Sequence, residues 1–255
     1  MKTALRNRRG FTLIELVVVL IILAILAGLV VSVVGWVRRS ANYASGANNQ
    51  APVMANFELY RTTFGNNSYP DRLDSLLTAS GDVPTAYFHK ELADMITPGA
   101  FSTTSTDEFD SINNKGNGLK TVMRHPDDLT GIDNPGNSGN TTHLLTATSE
   151  MAFVNPTSTN GAKLVNYLYP DGLPTGVRLV LAGVGPSNSA TGRTMQSPPF
   201  DTNVDTSKTY NRFIAVFTVY SPREGRRSQL KAVLCPRGRL LNANLSEYYQ
   251  STNPD

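Results

Sequence analysis

Residues 8–36 read "RRGFTLIELVVVLIILAILAGLVVSVVGW", an almost unbroken apolar run that carries a single carboxylate, Glu15. The 24 residues from Phe11 to Val34 make a helix about 36 Å long at 1.5 Å per residue, against roughly 30 Å of bilayer hydrocarbon. The run therefore predicts a membrane-spanning helix. An ionisable group in that setting costs a few kcal/mol even on lenient insertion scales, so Glu15 reads as functional until a partner is found for it.

Three accounts of this N-terminus compete. A cleaved secretory signal has a basic start, an apolar core of about 7 to 15 residues and a small-x-small cleavage site; here the core is longer, and Trp36-Val37-Arg38-Arg39 follows it. A plain signal anchor fits the length, the basic flank and the interfacial Trp36, but leaves Glu15 without a role. The third account rests on "GFTLIE". A short basic leader ending in Gly10, then Phe11, Thr12, Leu13, Ile14 and Glu15 before a long apolar run, closely resembles the class III signal of type IV pilins and type II secretion pseudopilins.

That resemblance covers about the first 40 residues, and it carries several implications. A membrane prepilin peptidase would cut between Gly10 and Phe11 and N-methylate the new Phe11 terminus. Glu15 would serve assembly with other pilin or pseudopilin subunits on an inner-membrane platform. The chain would sit in the inner membrane as a single-pass protein with its N-terminus cytoplasmic and its head periplasmic, and after assembly in a periplasmic or surface filament. The implied fold is α+β and pilin-like, with a long N-terminal helix on a C-terminal antiparallel sheet. The expected segments are a leader at 1–10, a transmembrane helix at 11–36, its amphipathic continuation at 37–64 and a globular head at 65–255.

Other features of the helix follow from spacing. Ala24, Gly28 and Ser32 recur every four residues and share a face on which a neighbouring helix can approach closely, although membrane helices are rich in small residues generally. Ala44, Ala47, Ala51, Met54, Phe57, Tyr60 and Phe64 form the apolar side of the continuation, and Pro52, which lacks a backbone donor, predicts a bend. "FGNNSYP" ends the helix at residues 64–70. "SYPDRLDSLL", residues 68–77, predicts a short helix with Ser68 and Asp71 spaced as a capping box.

Residues 97–162, rich in Ser, Thr, Asn, Gly and Asp, are expected to form surface loops or a variable insertion rather than a core. Three β-branched and aromatic runs follow: "GVRLVLAGVG", "RFIAVFTVY" and "SQLKAVLCP". The second alternates Phe213, Ala215, Phe217 and Val219 against Ile214, Val216, Thr218 and Tyr220, the pattern of a central strand covered on both faces. "SPREGRRS" reads as the hairpin turn into the third run.

Composition limits the function. Four of the 23 basic residues fall in the first ten positions, leaving 19 basic against 20 acidic in the remainder, so the sequence pI near 9 does not signal a nucleic-acid surface. Cys235 is the one cysteine, which excludes an intramolecular disulfide. His89, His125 and His143 lack metal-ligand spacing, "GVG" at 183–185 leads into a proline loop rather than a helix, and "SQLK" lies in a strand without companion motifs. The chain is read as a structural subunit and not an enzyme. Two alternatives remain, a tip subunit binding DNA or a surface through Arg223, Arg226, Arg227, Lys231, Arg237 and Arg239, and a signal-anchored periplasmic enzyme.

One metal site is a candidate. "DTNVDTS" places Asp201, Asn203, Asp205 and Ser207 at alternate positions, as in the first half of a calcium loop, though it lacks the sixth-position glycine and has Arg212 where a bidentate glutamate would stand. The resemblance adds that major pseudopilins bind calcium near their C-terminal sheet. The other reading is a polar loop whose Asp and Asn cap turns. "HPDDLTGIDN", with Asp127, Asp128 and Asp133, is a poorer version of the same pattern.

Overall fold

The structure, a computed structural model, describes residues 12–101, 106–114, 116–127, 139–202, 208–222, 225–243 and 246, without the side chains of 29–47. The chain divides into two compact units, Met1–Ala41 and Asn42–Asp255. The elements in order are α1 (Leu13–Thr63), β1 (Leu73–Thr78), α2 (Lys90–Met95), β2 (Ile96–Ala100), α3 (Asp107–Asn113), β3 (Thr121–His125), β4 (Thr141–Leu144), β5 (Glu150–Val154), α4 (Thr159–Leu168), β6 (Val177–Gly183), β7 (Ile214–Tyr220) and β8 (Leu230–Leu234). The class is α+β, an N-terminal helix and a sheet.

The sheet runs β2-β5-β6-β1-β3-β4, with β7 and β8 continuing from β6. It is mixed rather than antiparallel, because β1 and β3 pair in parallel. β6 and β7 are its centre, matched residue for residue from Val177–Tyr220 to Gly183–Ile214. The alternation read in β7 holds. Phe213, Ala215, Phe217 and Val219 enter one core with Val53, Phe57 and Tyr60 of α1, while Ile214 and Val216 enter a second with Leu92 and Met95 of α2 and Leu164 and Val165 of α4.

Three local expectations are corrected. Residues 73–78 form a buried strand, not a helix; Asp71 caps nothing of its own but accepts from the Lys120 and Thr121 amides at 2.8 Å each, and Arg72 and Leu76 take positive φ, which no helix accommodates. Residues 97–162 are not surface loops: they supply α3 and most of four strands, and Phe101, Ile112, Val122, Met151 and Phe153 are core residues. Finally, α1 runs through Pro52 without interruption. Its buried face is Gln50, Val53, Phe57 and Tyr60, whereas Ala51 and Phe64 are exposed. Gln50 holds that turn to the sheet by donating from Nε2 to the carbonyls of Val233 and Arg239, both at 3.1 Å.

Polar ties fix the layers. The Tyr69 hydroxyl accepts from the buried Leu230 amide at 2.9 Å and donates to Glu58 of α1 at 2.8 Å; burial pushes this phenol up to about 12. Arg178 on β6 lies 3.5 Å over the Phe153 ring and donates to the carbonyls of Ala100 and Phe101 and to Glu108 Oε2 at 2.9 Å.

Where β1 meets β6, at the Asp74–Gly183 pair, the core encloses a carboxyl. Asp74 and Tyr210 are fully buried, and the Tyr210 hydroxyl donates to Asp74 Oδ2 at 2.9 Å. Glycine is required here: a β-carbon on Gly185 would lie 2.5 Å from Asp74 Oδ1, and one on Gly183 would collide with the Tyr210 hydroxyl. Phe88, Tyr210 and the His125 ring pack together beside it. Burial raises the Asp74 carboxyl to about 7 from its ordinary 3.8, against the opposing pull of the Tyr210 hydroxyl and the Arg212 guanidinium. The folded chain thus keeps a proton that the unfolded chain releases, so this contribution to stability is whole below about pH 4 and is lost as pH rises to about 7, an effect on the order of a few kcal/mol. In thermal melts of the purified full chain, Asp74→Asn should gain on the unchanged protein as pH rises from 4 to 8. Parallel pH dependences of the two melting temperatures would contradict this assignment.

Candidate functional site

Glu15 occupies the first turn of α1, and its carboxylate is engaged locally. Oε2 accepts from the Thr12 backbone N–H at 2.8 Å and from the Thr12 hydroxyl at 3.0 Å, while the Glu15 N–H donates to Thr12 Oγ1 at 3.3 Å. This is a reciprocal capping box, which satisfies N–H groups that a helix start leaves without intrahelical partners. The sequence reading missed it, although T-x-x-E before an apolar run is its signature. The geometry places a carboxylate at the positive end of the helix dipole, held by Thr12.

Around it the helix is bare. Leu13 is 81% exposed and Ile14 71%, and the apolar side chains from Leu16 to Leu26 are exposed all round the helix. An exposed apolar surface of this extent marks a helix made for lipid or for other helices. Among the described residues no helix is long and apolar enough to cross a membrane; of the expected 11–36 segment, Phe11 and the side chains from Leu29 onward lie outside them. Ala24 and Gly28 lie on the exposed helix, and a β-carbon on Gly28 would meet nothing within 4 Å. Ser32, the third member of the small-residue row, lies outside the described side chains, and Gly10 and Phe11 of the expected cleavage site lie outside the described residues.

In the candidate calcium loop, Asp201 is buried, 2% exposed. Its amide donates to the Asn211 carbonyl at 2.9 Å, and the adjoining Phe200 bridges to Arg212. A buried carboxylate is a hard-oxygen donor of the kind calcium takes. Asn203, Asp205 and Ser207 lie outside the described residues, and among the described residues no group of three or more His, Cys, Asp or Glu side chains could hold a metal. Asp127 of the poorer motif is exposed at the end of β3, and Asp128 and Asp133 lie outside the described residues.

Among the described residues of the basic cluster near the last hairpin, three side chains have separate partners. Arg239 makes a bidentate pair with Glu91 of α2 at 2.6 and 2.7 Å, Arg226 lies over Tyr220 and Lys231 over Tyr169, and Arg223 lies outside the described residues. Of the three histidines, His125 is buried, 1% exposed.

Comparison with known proteins gives one finding. The prokaryotic N-terminal methylation motif matches residues 5–31, the prepilin-type signal of type IV pilins and pseudopilins. The match spans Gly10, Phe11, Thr12, Glu15, Ala24 and Gly28. The chain therefore carries the signal of a pilin-like substrate of prepilin peptidase, a signal that belongs to membrane-anchored envelope or surface proteins. No curated protein and no solved structure matches the chain.

Proposed function

We propose that the chain is a structural subunit of a type II secretion pseudopilus or a type IV pilus, held in the inner membrane by its apolar helix until it is added to the filament. The observation that carries this reading is the methylation motif over residues 5–31, set on a helix whose apolar side chains are exposed and whose carboxylate is Glu15. Its work is mechanical rather than catalytic. The helix from Leu13 onward packs among other subunits, with Ala24, Gly28 and Ser32 as a face of close approach.

Removal of the leader after Gly10 gives Phe11 a cationic amine one helical turn before Glu15. In a single subunit the Glu15 carboxylate is satisfied in part by Thr12. When a subunit joins a filament, its Phe11 amine meets the Glu15 of a neighbour, which leaves neither charge alone in an apolar bundle. Two unit charges 4 Å apart attract by about 4 kcal/mol at an effective dielectric near 20, less their desolvation, enough to favour one axial register over slipped ones. The partners of this cycle are the peptidase, the assembly platform, the lipid bilayer and other subunits.

Glu15→Val should leave leader removal intact and strand the protein in the membrane with no filaments, read by immunoblot of leader cleavage and electron microscopy of sheared material. Normal filaments, or a block in cleavage itself, would contradict the role given to the carboxylate. Calcium at Asp201, Asn203, Asp205 and Ser207 is part of the same proposal: in a chain without a disulfide it would tie the loop before β7 by hard-oxygen coordination. Millimolar calcium should then raise the melting temperature of the detergent-extracted full chain over that in chelator, and Asp201→Ala with Asp205→Ala should abolish the difference. Equal melting of the unchanged chain in the two conditions would remove the metal.

A further inference from the structure

The parallel pairing of β1 with β3 sets like ends of two strands side by side, and those ends carry opposite charge. Arg72 immediately precedes β1 and Lys120 immediately precedes β3, with the Arg72 amide donating to the Thr121 carbonyl at 3.1 Å. At the far ends Thr78 pairs with His125, and the chain leaves through Asp82 and Asp127. Ser80 Oγ lies 3.2 Å from Asp82 Oδ2 and 3.0 Å from Asp127 Oδ1. Six strand residues separate the two ends, roughly 20 Å at about 3.3 Å per residue.

The starting end is concave. A cleft of about 590 Å³ is lined by Arg72, Lys120, Arg193, Tyr60 and Asp71 among others. Arg193 stands 6.0 Å over the Tyr60 ring and 5.8 Å over the Phe64 ring. Asp71, the one carboxylate of the cleft wall among the described residues, already accepts from two backbone amides and the Thr121 hydroxyl. Three exposed cations therefore face the opening. At the exit end, the Glu150 carboxylate lies against Gly81 and adds to Asp82 and Asp127. The neighbouring cation there, Arg124, is 5% exposed and turned inward, donating to the carbonyls of Thr78 and Glu150. Residues 42–255 hold 17 basic and 19 acidic side chains, so the two poles arise from placement along β1 and β3 and not from an excess of either charge.

We infer that the Arg72–Lys120–Arg193 cleft of one copy receives the Asp82, Asp127 and Glu150 carboxylates of a second copy. The inference rests on the filament reading above and supplies it with a contact between bodies. Different patches meet on the two copies, so the contact is heterologous; such contacts repeat without closing and generate open helical assemblies. Each pair is solvent-exposed and individually weak, which suits a contact multiplied along a filament and sensitive to salt.

The test is charge exchange in the full chain expressed in its own cells, with leader removal and protein level as folding controls. Arg72→Glu with Lys120→Glu should cut filaments at least tenfold, and so should Asp82→Lys with Asp127→Lys. The chain carrying all four changes, or co-expression of the two double variants, should restore them to within about threefold of the unchanged protein. Failure of rescue in stable, processed variants would overturn the contact. So would loss confined to the cationic variant, which would hand the cleft to an anionic partner such as a nucleic acid or an acidic glycan. If the unchanged chain itself forms no filaments, the reading under Proposed function falls; if it forms them and the exchange has no effect, only the pole contact falls.

Discussion

A carboxylate on an exposed apolar helix must be compensated wherever that helix is buried. Glu15 meets this demand with the means its own sequence supplies, the N–H and hydroxyl of Thr12. Those bonds satisfy one carboxylate oxygen and leave the negative charge in place. What remains is a charge at the start of a helix whose every other described neighbour from Leu13 to Leu26 is apolar, and a charge so placed discriminates sharply among partners. A cation presented in the same apolar surroundings is worth far more to it than one in water.

The body from Asn42 follows a different logic. The centre of its sheet is buried on both faces because the last part of α1 covers one and α2 and α4 cover the other. Doubly covered strands have no solvent face on which to place polar groups, so those at this centre are tied individually: Tyr69 to Leu230 and Glu58, Arg178 to Glu108, Asp74 to Tyr210. The glycines of "GVG" belong to this scheme. Gly183 and Gly185 clear space for the Asp74 and Tyr210 side chains.

Much of this was legible in the sequence where the deciding interactions are local or periodic. The apolar run marked α1, and the two-faced alternation of residues 213–220 marked the central strand, because each pattern is dictated by the element's own repeat. The strand at 73–78 was not legible. Leu73, Leu76 and Leu77 suit a helix face as well as a buried strand, and the choice is made by the distant pairing with β3 and by Asp71 binding the Lys120 and Thr121 amides. Residues 97–162 were misjudged for a related reason. Their strands are short and interrupted by polar turns, so β2 is recognisable only as a partner of β5, and β5 only as a partner of β2 and β6. The capping box at Thr12 and Glu15 is legible in the letters as T-x-x-E before an apolar run. The opposed charges at the two ends of β1 and β3 had no sequence signal, since they depend on a parallel register that joins residues about 50 positions apart.

The central claim is that residues 1–10 are removed and that the chain works from a new terminus at Phe11, with Glu15 one turn away. Intact-mass measurement of the protein extracted from native membranes tests it most directly. The account predicts a chain beginning at Phe11 with one methyl group on its amine. A chain that retains Met1, or one that begins beyond Val34, would contradict it.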